Sequence, residues 1–192
     1  MQKVAVLDYF LEEYKVTVHL TPFAHRRGFI VSARPPFQLF ISTVLNKNHH
    51  QRNYTIAHEI AEIECVLQRR KFLTGFAKEV HCHNRARDIL VPEIILDVAM
   101  NELKIDSPLQ IQRQIFPHAS LEVVGRQMAR LSRRRIFFNY RPAKSYTLYD
   151  PVGDKIINLA GPPFSKDTKW KMFEASKNYR IGFEETNKDR GK

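Results

Sequence analysis

The stretch that decides how this chain is read runs from Arg52 to Leu67, RNYTIAHEIAEIECVL. Ile56, Ile60, Ile63 and Leu67 recur at i, i+4, i+7 and i+11, which predicts a helix beginning near Tyr54 with one apolar stripe. His58, Glu62 and Cys65 fall on roughly the opposite side, about 200 degrees round at 100 degrees per residue. Ala57 and Ala61 lie between the two faces and are small enough to admit a neighbouring helix. A helix that simply met solvent on that far side would carry Lys, Gln or Arg. This one carries two titratable metal-ligand types and a thiol.

Residues four apart on a helix share a face, so His58 and Glu62 are placed to grip one metal ion. Glu59 stands beside them, ready to take a proton from a water that the ion activates. This is the logic of the H-E-x-x-H signature, with a glutamate in place of the second histidine. A catalytic site of this kind needs three protein ligands and one open position, so the third ligand must come from another element. Alone, H-E-x-x-E is a weak pattern, because Glu is common on solvated helix faces. The opposed faces of the helix strengthen it. So do Glu79, His81 and His83, which sit close together further along the chain, with Glu79 and His83 four apart. Cys65 lies on the ligand face, but a free cysteine on a buried helix is more often a small hydrophobe, and it stays outside the candidate site.

Working outward, residues 3–15 predict a helix from the spacing of Val4, Leu7, Leu11 and Tyr14. Residues 16–20, 28–32 and 37–43 read as strands, with ARPP at 33–36 turning between the last two. Together they predict a small antiparallel sheet ahead of the central helix. Residues 46–53 are polar and read as a loop; the adjacent His49 and His50 are more often idle there than metal-binding. The basic run 68–71 and Gly75 predict a break, followed by helices over 77–90 and, with Pro92 in the first turn, 93–103. A short helix over 108–116 and a helix over 121–131 capped by Ser120 come next. Residues 136–140, 146–149 and 155–159 read as strands, and the charged tail from Glu184 reads as frayed. The fold class expected is α+β: a small N-terminal antiparallel sheet packed on a helical bundle that carries the HExxE helix, then a C-terminal helix plus strands. The expected division is 1–118, 119–183 with a loosely winged-helix outline, and a flexible tail over 184–192.

The chain has 192 residues, 43% of them hydrophobic, enough for a real core and against wholesale disorder. No apolar run is long enough to span a bilayer, and Glu12 and Glu13 interrupt the first apolar segment where a signal peptide would be uninterrupted. Two cysteines make no disulfide framework, which points to a reducing, cytoplasmic setting. A net charge of +11 favours acidic partners, nucleic acid included, although the charge is spread along the chain and equally suits a solvated surface.

RNYTIAHEIAEIE, followed by E79-x-x-C-H-x-R-A-R-x-I-L-V-P92, resembles the ImmA/IrrE family of zinc-dependent peptidases. That family pairs an R-x-x-T-x-A-H-E-x-G-H helix with a later E-x-x-A-N-x-F-A-A-x-L-L-M-P helix. Arg52, Thr55, Ala57, His58 and Glu59 match the first block; Glu79, Ala86, Leu90 and Pro92 match the second. The resemblance covers roughly residues 1–140 and is most specific over 52–92. It implies His58 as first metal ligand, Glu59 as general base and Glu79 as a ligand from the second helix. The family's second histidine falls at Glu62, which can still bind zinc, though an added carboxylate blunts the acidity of the activated water and shifts preference toward manganese or iron(II). The family's Asn is His83, one turn from Glu79, as a further ligand or a substrate contact. The family's Phe and second Ala are Arg85 and Arg87, so this helix is more polar than the pattern.

The resemblance implies a cytoplasmic metallopeptidase with one divalent metal, zinc foremost, that cleaves a helix-turn-helix transcriptional repressor and so controls mobile-element or stress genes. Two other readings stand beside it. One is a weak or inactive relative that binds a regulator through the same cleft, which Glu62 and the altered second helix favour. The other is a DNA-binding protein, for which the basic surface and the helix and strands over 120–140 speak.

Overall fold

The computed structural model describes residues 5–23, 28–68, 74–140, 145–152, 154–163, 168–176 and 179–185. The basic run 69–71 and the tail 186–192 lie outside them. The architecture is α+β, with one three-stranded and one five-stranded sheet. The chain forms two compact units, the first from Met1–Pro92 with Phe116–Ser120, the second from Glu93–Ile115 with Leu121–Lys192. The segment 93–115 therefore groups with the C-terminal strands.

In the first unit, α1 (Ala5–Glu13) leads into β1 (Val16–Thr21), β2 (Gly28–Ile30) and β3 (Phe37–Ser42). The sheet order is β1-β3-β2, so β3 is central. Its alternate residues Phe37, Leu39 and Ile41 are fully buried, the period-two pattern of a strand with one face on a core. The sheet is mixed where an antiparallel one was expected: β2 runs antiparallel to β3, but β1 runs parallel to it from Val16 opposite Phe37 to Thr21 opposite Ser42. The cause is topological. The chain reverses once into β2 and once more into β3, and two reversals restore the original direction.

The central helix α2 spans His49–Leu67, and α3 spans Gly75–Leu90. α2 begins before the expected Tyr54, because Asn48 caps it by accepting from the Gln51 amide at 3.0 Å. The polar stretch read as a loop is its first turn and more. Arg52 and Asn53 are buried there, and Asn53 Nδ2 donates to the His118 carbonyl at 3.0 Å. Ile56, Ile60 and Ile63 are buried as the stripe predicts, whereas Leu67, at the helix end, is exposed. Ala57, Ala61, Cys82 and Ala86 are all fully buried, and these small side chains let α2 and α3 pack closely. Gly75, with φ +52°, starts α3 in the left-handed conformation that glycine favours.

The second unit holds α4 (Glu93–Asp97), a π-helical turn (Val98–Glu102), α5 (Pro108–Gln114) and α6 (Leu121–Ser132). Its antiparallel sheet has the order β6-β5-β4-β8-β7, built from β4 (Ile136–Tyr140), β5 (Ser145–Asp150), β6 (Lys155–Leu159), β7 (Trp170–Ser176) and β8 (Tyr179–Glu184). The sheet thus has two strands beyond the three that the sequence picks out. Glu184 ends β8 instead of opening a frayed tail, since its carboxylate binds the Arg135 guanidinium, with Nε at 2.8 Å. Among the described residues no helix is long and apolar enough to cross a membrane.

Candidate metal centre

α2 and α3 bring three donors to one place. His58 Nε2 lies 3.5 Å from Glu79 Oε2. The His58 and His83 rings are 4.6 Å apart between centroids. One ligand atom each from His58, Glu79 and His83 lies within 4.8 Å of the others. A tetrahedral ion bound at about 2.0–2.1 Å would hold its donors about 3.4 Å apart, so small side-chain rotations close the set. The chemistry of the His58 ring also fits a metal. Its Nε2 is buried and has no hydrogen-bond partner, and a buried polar atom without one is costly. Two imidazoles and one carboxylate fit zinc chemistry, and three protein donors leave room for a water or substrate.

Tyr54, one turn before His58, orients His83. Its hydroxyl lies 3.0 Å from His83 Nδ1 and donates to the His83 carbonyl at 3.4 Å. With its hydrogen on that carbonyl, the phenol oxygen accepts Nδ1–H, which leaves the Nε2 lone pair of His83 for a metal. The sequence reading missed Tyr54, although its place four residues before His58 marks it as sharing that face.

Glu59 is buried against β2. A side chain at Gly28 would meet Thr55 Cγ2 at 2.8 Å and Glu59 Oε1 at 3.4 Å, so only glycine lets the strand come this close. Burial raises the Glu59 carboxyl to about 7; the Glu62 charge adds to the rise, Lys78 opposes it, and Glu79 adds a little more. A carboxyl titrating near neutrality suits both accepting and returning a proton.

Glu62 is not brought into the three-donor group. Its Oε2 is paired with Lys78 Nζ at 2.9 Å. Spacing along α2 gives no warning of this, because the counter-charge comes from α3. Cys65 is buried and free, packed with Ala61 and Cys82. Beyond the donors, Glu64 fastens the two helices: it accepts from Arg85 Nε at 2.7 Å, Arg85 Nη2 at 2.8 Å and the Tyr14 hydroxyl at 2.9 Å. Arg85 therefore has a buried partner that its position along α3 alone did not reveal.

No family model and no curated protein matches the chain. Among solved structures it is similar to a Mycobacterium tuberculosis transcriptional regulator, with a TM-score of 0.55 and 12% identity over 94% of this chain and 79% of that one. At this identity the likeness concerns the fold alone.

Proposed function

We propose that the chain is a metal-dependent peptidase, with a helix-turn-helix repressor as substrate. The observation that carries this reading is the buried Nε2 of His58, which makes no hydrogen bond and lies 3.5 Å from Glu79, with His83 beside it on the same pair of packed helices. A divalent metal held by those three, zinc foremost and manganese or iron(II) as alternatives, would supply a Lewis acid that sharpens the acidity of a water and polarises a peptide carbonyl. Glu59, buried beside His58, would take the proton of the attacking water and return it to the leaving amine. β2 lies at the sheet edge, with Gly28 against Glu59, so an extended peptide pairing with that edge would pass the base. The repressor is suggested by the family resemblance alone. Two buried free cysteines suit a reducing compartment such as the cytoplasm.

A second reading has one observation in its favour. With Glu62 tied to Lys78, a site lacking its second same-helix ligand could bind a regulator without cutting it, and the charge of +11 would suit nucleic acid nearby. Metal analysis of the purified protein, then incubation with a helix-turn-helix repressor, separates the two. The peptidase reading expects cleavage that disappears in Glu59→Gln while bound metal stays; metal bound without cleavage in the wild type supports the second.

A further inference from the structure

Glu62 sits one turn after His58, where a second donor from the same helix face would stand. Lys78 immediately precedes Glu79 on α3, so one turn of α3 offers a carboxylate to the donor set and engages another. The ion pair is 2.9 Å long, and its side chains are only 31% and 27% exposed, so solvent screens it incompletely. We propose that Lys78 is a positioning residue that holds Glu62 out of the metal's coordination shell, leaving two imidazoles, one carboxylate and an open position. This inference rests on the metal reading above. Released, Glu62 would complete a shell of four protein ligands, the closed arrangement of structural rather than catalytic zinc. The added carboxylate would also draw the site toward harder ions. Lys78 thus decides whether the pair of helices makes a reactive site or a sealed one.

The test is a zinc titration, against a competing chelator, of wild type, Glu62→Gln, Lys78→Met, Lys78→Arg and the Lys78→Met/Glu62→Gln double variant. Melting curves without metal check that each is folded. Wild type, Glu62→Gln and Lys78→Arg should agree within about twofold, Lys78→Met should bind about ten- to a hundredfold tighter, and the double variant should return to wild type. Cobalt(II) gives a second readout that packing alone would not move. Azide should change the visible cobalt spectrum of wild type and the double variant, which keep an open position, and leave that of Lys78→Met unaltered. A loss of tenfold or more in Glu62→Gln would overturn the proposal, because Glu62 would then already be a ligand. So would a gain in Lys78→Met that survives in the double variant. If wild type binds zinc and Lys78→Met matches it, the clamp alone fails; if no variant binds zinc, the metal reading fails and takes the clamp with it.

Discussion

Replacing Arg85 by alanine tests the scaffold on which the site depends. Glu64 has a side chain only 7% exposed, and it accepts two hydrogen bonds from Arg85 and one from Tyr14. Burial, the largest single influence on its pKa, favours the neutral acid; the Arg85 bonds and charge, with Tyr14, outweigh it and hold the carboxyl below its ordinary range. Arg85→Ala removes the two charge-assisted bonds and strands a buried carboxylate with one phenol. Breaking a fully buried pair costs about 3–5 kcal/mol. Arg85 is 35% exposed and water can partly replace it, so about 2–3 kcal/mol is expected at pH 7. The dependence on pH has a definite sign. In the wild type Glu64 contributes stability above its unfolded pKa, and this is lost as pH falls through the lower folded pKa. In Arg85→Ala burial dominates, the folded pKa moves above the unfolded one, and the deficit shrinks on acidification. Urea unfolding followed by far-UV circular dichroism, where the helices dominate, measures both effects. Trp170, the single tryptophan, lies in the second unit and reports on that unit instead. Glu64→Leu/Arg85→Met should recover most of the loss, since a packed apolar pair can replace a buried ion pair. A deficit under about 0.5 kcal/mol, or one that does not change between pH 7 and pH 4, refutes the reasoning.

Three further outcomes are expected. Gly28→Val should destabilise the first unit by about 1–3 kcal/mol in urea unfolding, because the new side chain meets Thr55 and Ile41 under 3 Å and crowds Glu59. Glu184→Gln should lower stability at pH 7 by under about 1 kcal/mol, and the deficit should shrink on acidification below the ordinary carboxylate range, since the Arg135 hydrogen bond depresses the Glu184 pKa and its contribution is lost as pH falls through that lowered value. Tyr54→Phe, which removes the hydroxyl beside His83 Nδ1, should weaken zinc binding about ten- to a hundredfold in a chelator competition with helicity unaltered; affinity equal to wild type would show that Tyr54 does not position His83.

Local patterns announced most of the fold. The isoleucine stripe of α2, the two prolines before β3 and the Ser120 boundary each act over a few residues, and a few residues suffice to read them. The direction of β1 against β3 was hidden because strand alternation is identical in parallel and antiparallel pairs. β7 and β8 were hidden for another reason: Lys171, Met172 and Glu174 are exposed, and Gly182 interrupts the apolar run in β8. At the site, His58, Glu59 and Glu79 could be named as candidates because the motif places them along single helices, and His83 as a further ligand or substrate contact because it stands one turn from Glu79. The engagement of Glu62 by Lys78 and the approach of His83 to His58 depend on how α2 lies against α3, which spacing along either helix does not encode.

The peptidase proposal stands on α2 and α3 jointly holding one divalent ion through His58, Glu79 and His83. Equilibrium zinc titration of wild type beside His58→Ala and Glu79→Gln tests it most directly. One zinc per chain is expected in the wild type, with a loss of at least about a hundredfold in affinity in each variant. Wild type that takes up no zinc, or variants that bind it as tightly, would contradict it.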